Sequence, residues 1–193
     1  ARVLRCVNDD CPAKNAKRIV HFAGKSGINI QGISEKTIEK LIATGIIRNE
    51  VDLLDIENYK DEILKLDGFK EKSFENLKKA IDDAKNMTLQ RFISAMAFTG
   101  IGYTNAGKVA AALGFDVMKL FELTPEKINS IEGLGEVLTE SFMAELSDEN
   151  MRRRMREIIK RCKFKEITRT RNDEVDGKKF VITGTVNIFK NRD

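Results

Sequence analysis

Phe98-Thr99-Gly100-Ile101-Gly102 and, with lead glycines 33 residues apart, Ile131-Glu132-Gly133-Leu134-Gly135 share one pattern: an apolar residue, a spacer, glycine, an apolar residue, glycine. The pattern occurs twice upstream as Ile30-Gln31-Gly32-Ile33-Ser34 and Leu66-Asp67-Gly68-Phe69-Lys70, with only the last position changed. The lead glycines are separated by 36, 32 and 33 residues, so the chain reads as a fourfold repeat. Seven residues past the last position of each instance stand Leu41, Leu77, Val109 and Phe142, in register on a helical face.

Each repeat reads as a helix, a tight hairpin and a second helix. The lead glycine supplies a positive φ or a close approach that a Cβ would obstruct. The apolar residue after it plugs between the two helices. The hairpin then feeds a helix N-terminus, where unpaired N–H groups and the positive end of the macrodipole face outward together. Such a backbone site suits a DNA phosphate and reads no base sequence. The candidate DNA-binding residues are Gly32, Ser34, Gly68, Lys70, Gly100, Gly102, Gly133 and Gly135. Ser34 and Lys70 stand where the second glycine would be, so the first two hairpins should approach phosphate less closely, with Lys70 offering a charge instead.

The charge is segregated. Residues 28–151 carry 14 Lys/Arg against 22 acids, whereas residues 152–171 carry ten against two, within a net charge of +4 for the whole chain. An acidic middle cannot hold nucleic acid by bulk charge, so binding there must use local, oriented donors. The basic run reads as a helix from Asp148 to Lys163, with Met151, Met155, Ile158, Ile159 and Cys162 inward. Arg152, Arg153, Arg154, Arg156, Lys160 and Arg161 are expected on its solvent side.

At 193 residues, 41% hydrophobic and 33% charged, the composition is that of a globular protein. No apolar run is long enough to span a bilayer, and three cysteines are too few for a disulfide framework. A cytoplasmic location with no membrane partner is expected. Cys6 and Cys11, with four residues between them, have a zinc-ligand spacing, but two thiols do not complete a tetrahedral site. His21 lies in a helical stretch and reads as a packed or solvated histidine, and Cys162 as a buried thiol.

These strings together resemble the helix-hairpin-helix domain of bacterial NAD-dependent DNA ligases, over almost the whole chain. The resemblance implies an all-α fold of four tandem helix-hairpin-helix units in two paired modules, each pair sharing a core. It further implies a truncated four-cysteine zinc finger and connecting helix over residues 1–27 and the DNA-binding domain over residues 28–165. A linker at residues 166–176 and the opening strand of a BRCT domain at residues 177–193 would follow. The family usually has glycine at the positions of Ser34 and Lys70, where this sequence departs. Cys6 and Cys11 would be the last two of four zinc ligands, the others lying upstream of Ala1. The implied partner is nicked duplex DNA in replication and repair, at the bacterial nucleoid, with no small-molecule substrate on this segment. NAD and magnesium would serve a catalytic domain lying elsewhere.

Lys65-Leu66-Asp67-Gly68 matches the Lys-x-Asp-Gly motif that carries the adenylated lysine in such ligases. Leu66 and Gly68 are already required by the repeat, and no strands that could form a nucleotide pocket are evident. No residue of this chain is therefore expected to be catalytic. Two rivals have the same pattern: a tandem-hairpin subunit of another repair protein, and a helical protein-interaction scaffold without a nucleic-acid role. The cysteine pair and the C-terminal strand disfavour the first rival.

Overall fold

Side-chain caps set where many of the helices begin. In a computed structural model, which describes residues 11–165, Ser34, Asn49, Thr88, Thr124 and Asp148 each accept a hydrogen bond from a first-turn amide of the helix that follows. The helices are α1 (Pro12–Ala23), α2 (Glu35–Ala43), α3 (Glu50–Leu54), α4 (Lys60–Leu64), α5 (Glu71–Ala84), α6 (Leu89–Ala95), α7 (Tyr103–Ala112), α8 (Pro125–Asn129), α9 (Glu136–Ser147) and α10 (Glu149–Ile159). Short 3₁₀ turns cover Ile56–Tyr59 and Val117–Glu122. Two two-residue strands, β1 (Asn86–Met87) and β2 (Lys163–Phe164), pair in parallel, an addition to the all-α expectation. Cys6, the linker and the C-terminal strand lie outside the described residues.

The helices associate in sequence-adjacent pairs, α1 with α2, α4 with α5, α6 with α7, and α8 with α9. Each pair brackets one of the four glycine turns. The repeat positions Leu41, Leu77, Val109 and Phe142 are all buried. Truncating one such residue to alanine typically costs about 2–5 kcal/mol. Phe98, from the third turn, meets Phe142 of α9 edge to face with centroids 4.7 Å apart.

The two pairs of units do not keep separate cores. One continuous apolar cluster runs from Ile19 and Phe22 of α1 to Met155 and Ile158 of α10. α1, part of the stretch expected to be finger and connecting helix, therefore belongs to the same packed body.

The basic helix departs from its expected solvation. Arg154 turns inward, toward Glu50 of α3, which is 1% exposed. Arg18 of α1 donates to the same carboxylate at 2.9 Å, while Arg154 Nε lies 3.4 Å from it without the alignment of a hydrogen bond. Arg154 also donates to the Met96 carbonyl at 3.2 Å. Burial pushes its guanidinium down to about 10, still far above neutrality, so it remains charged. Arg161 pairs with Asp55 at 2.6 Å, and Arg152 and Arg156 both stack on Phe121. Four of the six cations thus contact distant elements of the fold, while Arg153 and Lys160 bond to Asn150 and Glu157 of α10 itself. Charge counting along the sequence cannot register this, because the partners come from distant elements.

Cys162 packs against the core as expected, and burial pushes its thiol up to about 12. The His21 ring N–H donates to the Ser94 carbonyl at 3.0 Å, so the histidine serves packing between α1 and α6.

Candidate nucleic-acid interface

Each repeat turn must reverse the chain between two packed helices while leaving its crest open. The lead glycines meet the first requirement with φ values of +75° at Gly32, +84° at Gly68, +73° at Gly100 and +83° at Gly133. An L side chain in this region costs roughly 1–2 kcal/mol. In the last three turns the residue after the lead glycine donates to the carbonyl three positions back, at 3.1 Å each: Phe69 to Leu66, Ile101 to Phe98 and Leu134 to Ile131. All four lead glycines are exposed.

The second position of each repeat becomes the N-cap of the following helix: Ser34 for α2, Lys70 for α5, Gly102 for α7 and Gly135 for α9. All four are exposed, in extended backbone that any residue adopts. Here the two halves of the chain diverge. Ser34 Oγ accepts from the Thr37 amide at 3.1 Å, and the Lys70 amide donates to Ser73 Oγ at 2.8 Å, so these helix starts are partly satisfied internally. Gly102 and Gly135 bring no side-chain cap, and a Cβ added at either would meet nothing within 4 Å. Neither torsion angles nor packing requires glycine there. What glycine provides is uncapped first-turn amides and space for close approach.

Within each pair the turns lie against the partner unit. Gly32 and Gly68 line one cleft of about 650 Å³ together with Lys36, Lys40 and Ser73. In the second pair, a Cβ on Gly100 would lie 2.1 Å from Leu138 Cδ2 of α9. The amide of Thr99, beside Gly100, is held at 3.2 Å by the Glu145 carboxylate. This turn already accommodates an anionic group, though an internal one.

Tyr103, 44% exposed, and Val137, 82% exposed, stand in the first turns of α7 and α9 beside the capless glycines. Sequence reasoning missed both, since each reads as one more apolar residue of a helix. Lys65 of the Lys-Leu-Asp-Gly string caps the C-terminus of α4, and Leu66 to Phe69 form the second turn, so the string has the structural role the repeat assigns it. Among the described residues no group of His, Cys, Asp and Glu side chains could hold a metal ion. Cys11 is the N-cap of α1, ahead of Pro12.

The mostly helical body thus carries four exposed glycine turns, two of them opening onto helix starts without a side-chain cap. No family model matches the chain. Among curated proteins, the DNA ligase of Ruminiclostridium cellulolyticum is 36% identical over 193 residues, all of this chain and 29% of that protein. The DNA ligase of Lachnoclostridium phytofermentans is 34% identical over 98% of the chain and 29% of the relative, and that of Campylobacter lari 35% identical over 98% and 28%. The chain is thus similar over its whole length to a segment of DNA ligases, and spans less than a third of these relatives. Among the described residues no helix is long and apolar enough to cross a membrane.

Proposed function

We propose that this chain is the DNA-holding segment of a bacterial NAD-dependent DNA ligase, with its four glycine turns acting as helix-hairpin-helix grips on the backbone of nicked duplex. The observation that carries the proposal is the pair Gly102 and Gly135: glycine where the fold has no need of it, at two exposed and uncapped helix starts. Phosphate oxygens would accept from the first-turn amides of α7 and α9, and the positive helix ends would favour the charge. Tyr103 and Val137 would lie against the sugars. The first pair of turns would contribute less through its backbone and more through Lys70. Such contacts fix position and read no sequence.

The likeness to DNA ligases along the whole chain supports the ligase setting. Catalysis would lie in another part of the parent: a lysine there would take the adenylyl group from NAD with release of nicotinamide mononucleotide and pass it to the 5′ phosphate, and the 3′ hydroxyl would then displace AMP as it seals the nick, with magnesium to offset the phosphate charge. Cys6 and Cys11 would provide two of four thiolates to a zinc finger. The proposed setting is the cytoplasm, at the nucleoid.

With one or two phosphates neutralised per turn, log affinity should fall against log salt with a slope of about −4 to −7. The sharpest test is the double variant Gly102→Asp/Gly135→Asp. Aspartate is a good N-cap, so each helix should hold or gain a few tenths of a kcal/mol. The same carboxylates would occupy the amides and repel phosphate. Affinity for nicked duplex should therefore fall by about tenfold or more per site, the equivalent of one charge-assisted hydrogen bond. Unchanged affinity in a gel shift on nicked and intact duplex at low salt would overturn the proposal.

A further inference from the structure

We propose that Lys40 and Lys108 are DNA-backbone ligands, one ammonium for each pair of turns, held ready by the neighbouring turn. The proposal rests on the DNA-binding reading above and adds to it two contacts that the repeat pattern does not name.

The two lysines occupy one register. Each stands eight residues beyond the lead glycine of its own unit, Gly32 for Lys40 and Gly100 for Lys108. Each crosses to the next unit and donates to the carbonyl of the residue just before that unit's lead glycine. Lys40 Nζ binds the Asp67 carbonyl, and Lys108 Nζ binds the Glu132 carbonyl at 2.6 Å. Lys40 also lies over the Phe69 ring, 5.9 Å from its centroid. A Cβ on Gly133 would stand 2.7 Å from Lys108 Nζ, so the lead glycine of this turn also leaves room for the ammonium.

The kind of partner matters. Lys60, Lys78, Lys85 and Lys160 are neutralised by carboxylates. Lys40 and Lys108 are both exposed and are tethered by neutral carbonyls instead, which fix the ammonium in place and leave its charge uncancelled. An ammonium has three donors, and one carbonyl takes one of them. The remainder are available beside turns whose own amides and helix starts favour anions. The same arrangement stands at equivalent positions of both pairs of units, Lys40 with the Asp67 carbonyl and Lys108 with the Glu132 carbonyl.

The test measures binding of the 193-residue chain to a fluorescently labelled nicked duplex across a salt series, for Lys40→Gln, Lys108→Gln and the double variant. Each lost ammonium should make the log affinity versus log salt slope shallower by about 0.9, and Lys→Arg at the same positions should restore it. Melting temperature is followed in parallel. A slope equal to wild type, with or without a lower melting temperature, would make the lysines mere ties between turns and overturn the proposal. If the unaltered chain shows no salt-dependent affinity for the nicked duplex, the DNA-binding reading itself fails, and this inference fails with it.

Discussion

Glu50→Gln removes one charge and almost no volume from the least exposed ion cluster among the described residues. Glu50 is 1% exposed, with Arg18 Nε at 2.9 Å and Arg154 Nε at 3.4 Å, and the Arg154 side chain is 16% exposed. Without the carboxylate two cations face each other in the interior. Arg18, with 31% of its side chain exposed, can turn toward water, but Arg154 cannot do so without opening the contact between α3 and α10. Breaking one partner of a buried pair costs about 3–5 kcal/mol, and the escape open to Arg18 favours the lower end. For a domain of this size each kcal/mol lowers the melting temperature by roughly 2–4 °C, so a fall of about 6–12 °C is expected by calorimetry or circular dichroism. The further change Arg154→Met should recover part of the loss, because it removes the stranded charge and keeps an apolar stem of similar length. A loss below about 1 kcal/mol, or no recovery in the double variant, would show that water reaches the cluster and that the ion pairs do not join the two halves.

Three glycine substitutions should rank by geometry in chemical unfolding. Gly102→Ala should cost little, Gly32→Ala about 1–2 kcal/mol for its φ of +75° with open space around it, and Gly100→Ala more still, since its Cβ would meet Leu138 at 2.1 Å. Equal costs at all three would remove the distinction between turn glycines and approach glycines. For Cys162 the raised value, about 12 against an ordinary 9.0, means that the neutral thiol is the form favoured in the fold. Its contribution to stability is complete below pH 9 and fades as pH rises toward 12. In a Cys6→Ser/Cys11→Ser background, on the order of a thousandfold less thiolate should be present in the folded protein than in urea at pH 8, as the shift implies. Comparable rates of thiol-disulfide reagent uptake in the two states would contradict the burial.

The turns were legible because each is local. A glycine between apolar residues, with a helical pattern at a fixed distance, states its own torsion angle, and all four lead glycines have the φ their position demands. The inward positions Leu41, Leu77, Val109 and Phe142 were legible for the same reason. What could not be read depends on distance along the chain. Glu50 looks like an ordinary first-turn acid of a helix, and nothing near it in sequence announces Arg18, 32 residues away, or Arg154 beyond it. The ties from Lys40 and Lys108 were hidden similarly, 27 and 24 residues from their acceptors. β1 and β2 are two residues each, too short for any alternation to register. At Gly102 and Gly135 the pattern located the residues, but their meaning required coordinates. Only the open space at each Cβ separates a glycine kept for folding from one that folding does not need.

The pairing of Asn86 with Lys163 and Met87 with Phe164 has a topological consequence. It places the two ends of the stretch 88–162 side by side, so the second pair of units is a loop of chain closed at its neck. The clasp is reinforced nearby, where Arg161 meets Asp55. To swing away from the first pair, the loop must first part at that neck. Slow amide exchange in α1 and in α9 should accordingly report the same opening energy, as in one foldon rather than two.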